Sequence, residues 1–187
     1  DGILERVDTA TAKAMLASKW GAVTPVCTIP KASGGLRLLV DSKRSGANWQ
    51  LAQTPSKFPE PIAAIHSVVP LGGFVSSLDV KDCFYSFPLC REDSWLFMVM
   101  LHGIYFRFCR LPQGSRNSPP VCLAFSYGMI AQWGEDQRRE IVREQIPGSA
   151  DFDPSQPAVL FVDEDGKRDA VQVHMDDAIV GGDNEQR

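Results

Sequence analysis

The chain has 187 residues and a formal net charge of −4, with 44% hydrophobic and 22% charged residues. This ordinary globular mixture excludes a disordered tail, a collagen-like repeat and a disulfide-stapled miniprotein. No apolar run approaches the roughly 18 residues that a membrane-spanning helix needs, so we expect no membrane partner. Without a start methionine or a signal-peptide pattern, the sequence is expected to be cut from something longer.

Five cysteines and an uneven charge distribution refine this description. The cysteine number is odd and no pair has C-x-x-C spacing, which favours reduced thiols in an intracellular protein. Residues 1–60 carry eight Lys/Arg against five Asp/Glu, whereas residues 119–187 carry six against fourteen. Such asymmetry is typical of a basic surface for a polyanion beside an acidic cation site, and equally of a solvated acidic loop region.

The first half of the chain predicts two helices, a hairpin and a buried strand. Asp8 or Thr9 can cap the first helix, and Trp20 with Gly21 ends it. Lys31 and Arg37 flank the tip of the hairpin. In chain order, the predicted elements are a helix at 8–19, hairpin strands at 22–29 and 36–40, a loop at 41–61, a helix at 62–69 closed by Pro70 and Gly72–Gly73, and a buried strand at 74–80.

The second half mixes strands and helices without regular βαβ spacing, so we predict an α+β fold. His102 and Gly103 mark the turn of a second hairpin. The predicted elements are hairpin strands at 96–101 and 104–109, a largely apolar buried helix at 120–133, a helix near 135–146, and strands at 157–162, 170–174 and 178–181.

Three acidic positions are candidates for metal chemistry. Asp176 and Asp177 follow an apolar alternation and precede another strand, so they sit at a tight turn. Adjacent carboxylates repel one another unless a cation is present, and hard divalent cations favour such oxygen ligands. Asp79 closes a predicted strand, where an acid is costly unless it is paired or metal-bound. Taken alone, Asp176 and Asp177 also fit an Asp-rich surface turn. Taken alone, Asp79 also fits the N-cap of a helix.

A Gly- and Pro-rich loop at 111–119 (LPQGSRNSP) precedes the helix predicted at 120–133. Its backbone amides could face an anion at the helix N-terminus. By itself the segment is only a loop. The order of the segments 78–84 (LDVKDCF), 111–119 and 175–177 (MDD) is far more specific than any one of them.

This ordered set resembles the polymerase domain of reverse transcriptases, closest to the retroviral and long-terminal-repeat retrotransposon type. The three segments are similar to the family's three catalytic motifs, and the hairpin with Lys31 and Arg37 is similar to its fingertip. The resemblance implies right-hand polymerase fingers (1–54 and 87–118) and a ferredoxin-like palm (55–86 and 119–187), with an acidic insertion at about 134–168. Thumb, connection and RNase H parts are not in the sequence, so we expect weak or no processive synthesis by this chain alone.

The resemblance implies an RNA- or DNA-directed DNA polymerase that extends a primer by two-metal-ion nucleotidyl transfer. Two Mg²⁺ ions, for which Mn²⁺ can substitute, would be held by Asp79, Asp176, Asp177 and the backbone of Val80. The implied partners are an RNA or DNA template with its primer, deoxynucleoside triphosphates, and the rest of a Pol-type polyprotein. The implied location is the cytoplasm, the nucleus or a retroelement particle.

Four residues are implied to bind the incoming nucleotide. Lys31 and Arg37 would contact the triphosphate, and Gln113 would lie near the sugar. Phe84 occupies the steric-gate position, where an aromatic ring excludes a ribose 2′-hydroxyl. The structural alternative for Lys31 and Arg37 is a pair of solvated residues on a hairpin. The structural alternative for Phe84 is packing in the core.

The primer side of the implied site includes His174 and Met175. His174 stands where relatives usually have tyrosine, a departure that changes the primer contact. Arg107 and Arg110 fit either template phosphate contacts or an exposed hairpin surface equally well.

The main alternative is a catalytically silent relative from a decayed element copy, acting as a nucleic-acid-binding or scaffold module. An RNA-directed RNA polymerase is a closer rival in fold, and Phe84 argues against it. A hydrolase built on the same acids gives no reason for Gln113 and Gly114.

Overall fold

The computed structural model describes residues 2–18, 21–32, 34–54, 56–69, 74–146 and 149–182. They form a mixed α/β fold with antiparallel sheets, which agrees with the predicted α+β class. The elements, in chain order, are β1 (Leu4–Val7), α1 (Thr9–Ala17), β2 (Val26–Pro30), β3 (Leu36–Val40), α2 (Ala47–Gln50), α3 (Pro61–Val68), β4 (Phe74–Asp79), β5 (Met98–Leu101), β6 (Ile104–Phe108), α4 (Ser118–Asp136), β7 (Glu140–Glu144), β8 (Val159–Val162), β9 (Arg168–His174) and β10 (Asp177–Gly182).

These elements group into two compact units. Unit 1 contains residues 1–53 and 82–118, and unit 2 contains residues 54–81 and 119–187. Residues 82–86, which the prediction assigned to the palm, group with unit 1. Unit 1 carries 11 Lys/Arg against 7 Asp/Glu, or +4, and unit 2 carries 8 against 16, or −8. The names fingers and palm remain predictions.

Unit 1 is built from a three-stranded sheet in the order β1-β6-β5 and the separate β2-β3 hairpin. His102 and Gly103 join β5 to β6 with φ of 49° and 78°, values that suit a tight turn between twisted strands. Phe97, Val99 and Phe108 are fully buried with Val40 in its main core. Both predicted hairpins of this unit are confirmed.

Unit 2 is a five-stranded antiparallel sheet in the order β4-β10-β9-β8-β7. Val171 and Val173 of β9 pack with Leu123 of α4, whereas Gln172 between them contacts Ser67 of α3. Since successive strand residues point to opposite faces, α3 and α4 cover opposite faces of the sheet. The sheet carries the three candidate acids at one end, where β4 ends and β10 begins.

The predicted burial of β4 is wrong. Phe74, Val75 and Leu78 are 44%, 47% and 56% exposed, because β4 is an edge strand that, among the described residues, pairs only with β10. A short apolar run favours a buried strand, but whether that strand lies at an edge depends on distant pairing.

The helix expected at 120–133 is present as α4, but it is not wholly buried. Cys122 and Leu123 face the core, whereas a stripe at four-residue spacing is 37–47% exposed. That stripe consists of Val121, Phe125, Met129 and Trp133. The helix predicted near 135–146 is wrong, because β7 forms there and pairs with β8. The chain also forms β1 and α2, which the sequence did not predict.

Helix α1 begins as predicted. The carboxylate of Asp8 accepts a hydrogen bond from the Thr11 amide at 2.9 Å. The predicted helix-ending residues Trp20, Pro70 and Gly72–Gly73 lie outside the described residues. No helix in the described part of the chain is long and apolar enough to cross a membrane.

Candidate active site

The candidate site in unit 2 is created by strand register. Asp79, the last residue of β4, is the direct pairing partner of Asp177, the first residue of β10. Asp177 is also paired with His174 at the end of β9, so a two-residue turn of Met175 and Asp176 joins the two strands. The sheet therefore brings together acids that are almost a hundred positions apart in the sequence.

The turn that carries Asp176 has a constrained backbone. Met175 has a φ of 57°, in the left-handed region that a non-glycine residue rarely adopts. The amide of Val80 donates a hydrogen bond to the carbonyl of Asp176 at 3.0 Å. This bond extends the β4–β10 pairing by one step and ties the turn to the residue after Asp79.

The pKa of Asp177 depends on its burial and on the neighbouring acids. Partial burial raises the pKa of Asp177 above its usual range, and the negative charges of Asp176 and Asp79 raise that pKa further. The charge of His174 acts in the opposite direction. Part of Asp177 is exposed to solvent, so its carboxylate is accessible from outside. The site therefore has a local excess of negative charge that a cation would offset.

The donor set suits a hard divalent cation, since it consists of carboxylates that repel one another. Within the described ranges, no three or more His, Cys, Asp and Glu side chains form a ready metal-binding group. Binding would therefore require side-chain rotation of acids that the backbone already holds next to one another. The carboxylate donors have the chemistry that Mg²⁺ prefers, and strand pairing brings the backbones that carry them together.

His174 is attached to the segment that precedes α3. Its Nδ1 lies 3.0 Å from the carbonyl oxygen of Pro59, and its ring lies 5.8 Å from that of Phe58 with an interplanar angle of 60°. Because a carbonyl oxygen only accepts, Nδ1 carries the proton in this contact. This arrangement anchors the strand that leads into the Met175–Asp176 turn.

Lys31 and Arg37 come together in unit 1. Ile29 pairs with Arg37 across the β2–β3 hairpin, and the Lys31 amide donates to the Gly35 carbonyl at 3.1 Å. Lys31 and Arg37 both line a cleft of about 420 Å³ together with Ile29, Pro30 and Ala32. Both cations are exposed, so the hairpin presents two positive charges to one cleft.

Phe84 and Gln113 lie in two other segments of unit 1. Phe84 belongs to a 3₁₀ turn at Cys83–Ser86 that follows Asp82, whose φ is 53°. Gln113 precedes Gly114 in the loop between β6 and α4. Both side chains are half-buried, which leaves each partly accessible.

Arg107, one of the two arginines considered for template contact, is a structural residue instead. It is 5% exposed, and its Nη2 and Nε donate to the Glu5 carboxylate at 2.6 and 3.0 Å. Its Nη1 donates to Ser94 Oγ, and its guanidinium lies 4.6 Å from the centre of the Trp95 ring. No local pattern indicates this cluster, because Glu5 and Arg107 are 102 positions apart.

No protein-family model matches the chain. The Gag-Pol polyprotein of Rous sarcoma virus subgroup B is 36% identical over 106 residues, 53% of this chain. The Pol-related polyprotein of the mouse intracisternal A-particle MIA14 is 34% identical over 137 residues, 70% of this chain. The chain spans 6% and 14% of these two relatives.

Solved structures of foamy viral protease-reverse transcriptases share the fold. The complex with double-stranded DNA matches 99% of this chain and 24% of its own, with a TM-score of 0.62 and 18% identity. The complex with an RNA/DNA hybrid matches 97% and 21%, with a TM-score of 0.54 and 16% identity. Sequence and fold together relate this chain to a region of retroviral Pol polyproteins.

Proposed function

We propose that the chain is the polymerase region of a retroelement reverse transcriptase, an RNA- and DNA-directed DNA polymerase. The observation that carries the proposal is the direct pairing of Asp79 with Asp177, with Asp176 in the adjoining turn. Nucleotidyl transfer builds up negative charge, so a catalyst for it needs cations gathered by nearby acids. The similarity to retroviral Pol polyproteins supports the same reading.

In this proposal Asp79, Asp176 and Asp177 hold the catalytic metal ions, with the Val80 carbonyl as a further oxygen ligand. Two bound Mg²⁺ ions, or Mn²⁺ in their place, would supply electrostatic stabilisation of the attacking and leaving oxygens. The acids themselves must stay ionised for this role. The raised pKa of Asp177 means that it holds a proton more readily than an isolated aspartate when no cation is bound.

The residues of unit 1 are proposed to bind the nucleotide. Lys31 and Arg37 contact the triphosphate with their paired charges, and Gln113 contacts the sugar. Phe84 excludes the 2′-hydroxyl of a ribonucleotide. The net charge of +4 on this unit supports an anionic ligand, since a basic surface attracts phosphate groups.

The primer side of the site is assigned to His174 and Met175. The contact of Nδ1 with the Pro59 carbonyl leaves Nε2 as an acceptor whenever the ring is neutral. An acceptor there suits a hydroxyl donor such as a primer sugar. The proposed partners are a template with its primer, deoxynucleoside triphosphates and the rest of a Pol-type polyprotein.

A primer-extension assay with Mg²⁺ tests the proposal. The chain should be assayed alone and within the longer polyprotein that we expect to contain it. We expect Asp176→Asn to lower extension at least about 100-fold, the scale of losing one strong transition-state contact. Asp165→Asn is the matched control, because Asp165 lies on the exposed β8–β9 turn of the same unit. Absence of extension by the wild-type polyprotein would favour the catalytically silent module instead.

A further inference from the structure

Asn48 connects α2 to the loop between β6 and α4 through both ends of its carboxamide. Its Nδ2 donates to the Gly114 carbonyl at 3.1 Å, and its Oδ1 accepts from the Arg116 amide at 2.8 Å. The two bonded backbone groups lie on either side of Ser115. The Asn48 side chain therefore holds the loop at two points, Gly114 and Arg116, which follow it by 66 and 68 residues in the sequence.

The base of this connection is itself held in the core of unit 1. Ala47, the residue before Asn48, is fully buried in the cluster that contains Val40 and Phe97. The Asn48 amide donates to the Ser42 carbonyl at 3.1 Å, which fixes the backbone from which the carboxamide extends. The core therefore holds the Asn48 carboxamide in place, and the carboxamide in turn holds the loop.

Other contacts hold the same loop, and the Ser115 amide donates to the Pro112 carbonyl at 3.2 Å, which closes a turn around Gln113 and Gly114. Ser118 Oγ donates to the Pro112 carbonyl at 2.7 Å, and Asn117 Nδ2 donates to the Ala52 carbonyl at 2.9 Å. The carbonyl of Gly114, the residue after Gln113, is held by Asn48. The backbone around Gln113 is therefore held on one side at the Pro112 carbonyl and on the other by Asn48.

We propose that Asn48 is a positioning residue that sets Gln113 for contact with the incoming nucleotide. The inference rests on the proposed function, since it assigns Asn48 to the same site. The chemistry requires a carboxamide, because the loop presents one acceptor and one donor to the same side chain. Aspartate would keep the bond from Arg116 but could not donate to Gly114, and alanine would lose both bonds.

The test compares Asn48→Ala and Asn48→Asp with Gln50→Ala, which removes another amide from the same helix. We expect Asn48→Ala to raise the KM for deoxynucleotides about tenfold with a smaller change in kcat, the effect of a misplaced binding group. In a Gln113→Ala background this effect of Asn48→Ala should vanish, because the two residues act through one contact. Asn48→Asp should also raise KM, and Gln50→Ala should not.

Amide hydrogen exchange gives a second readout that does not depend on activity. The Arg116 amide should exchange about tenfold faster in Asn48→Ala than in the wild-type chain, and unchanged exchange would overturn the connection itself. Faster exchange with an unchanged KM would overturn the link from Asn48 to nucleotide binding. If the wild-type protein makes no DNA at all, the proposed function fails and so does the nucleotide role, whereas the exchange result still decides whether Asn48 holds the loop.

Discussion

Asp79 and Asp177 are direct partners across β4 and β10, and the next bond along, from the Val80 amide to the Asp176 carbonyl, places the third acid beside them. Strand register fixes this geometry, so a shift of one residue would move each acid to the other face of the sheet. Partial burial raises the pKa of Asp177, and the negative charges of Asp176 and Asp79 raise it further.

The first prediction concerns sugar selection by Phe84. We expect Phe84→Val to admit ribonucleotides, because a smaller side chain leaves room for the 2′-hydroxyl. The ratio of ribonucleotide to deoxynucleotide incorporation in a primer-extension assay measures the effect. Phe87→Val, the same change three residues later, is the control. Unchanged discrimination in Phe84→Val would remove Phe84 from the site and leave it as a packing residue.

The second prediction concerns the Glu5–Arg107 pair in unit 1. The hydrogen bond from Arg107 lowers the pKa of Glu5 below its usual value of about 4.3. A carboxylate whose pKa is lowered by folding stabilises the folded state at pH values above its usual pKa. This stabilisation is lost as the pH falls through the lowered pKa. Glu5→Gln should cost about 1 kcal/mol at pH 7, a modest value because the Glu5 side chain is 52% exposed.

Urea unfolding at pH 7, 5 and 3 checks this second prediction. The stability difference between the wild type and Glu5→Gln should stay constant from pH 7 to 5 and shrink towards pH 3. Glu92→Gln, an exposed change in the same unit, serves as the comparison. A difference that persists unchanged at pH 3 would show that the charge of Glu5 contributes nothing.

The third prediction separates strain from steric overlap in two glycines of unit 1. Gly103 and Gly114 have φ of 78° and 107°, so alanine is strained at either position, by about 1–2 kcal/mol. A Cβ on Gly103 meets open space, whereas one on Gly114 would lie 2.1 Å from the Val40 carbonyl oxygen. Gly114→Ala should therefore cost about 1–3 kcal/mol more than Gly103→Ala. Equal losses in thermal unfolding would contradict the close approach of the loop to β3.

Much of the fold could be predicted wherever local chemistry determines it. The Asp8 cap and the His102–Gly103 turn follow from propensities of the residues involved, and both are present. The strand β1 was missed because the adjacent charged residues Glu5 and Arg6 interrupt any apolar pattern, and only pairing with β6 makes the segment a strand. The β7 segment was mistaken for a helix for the same reason, since β8 supplies its hydrogen bonds.

The candidate acids were predicted from motif order, and the structure adds what no local pattern contains. The pairing of Asp79 with Asp177 and the anchoring of His174 by Pro59 both join distant segments. Asn48 was missed entirely, because an asparagine in a loop-like stretch gives no sign of a partner 66 positions away. Side-chain bonds of this range depend on the assembled core.

The central claim is that Asp79, Asp176 and Asp177 bind divalent ions together. Mn²⁺ added to the isotopically labelled chain should broaden the backbone NMR signals of these residues first, and excess Mg²⁺ should restore them. Asp79→Asn should weaken that broadening at Asp176 and Asp177, whereas Asp165→Asn should leave it unchanged. Broadening that is absent from this end of the sheet, or that persists undiminished in Asp79→Asn, would contradict a shared metal site.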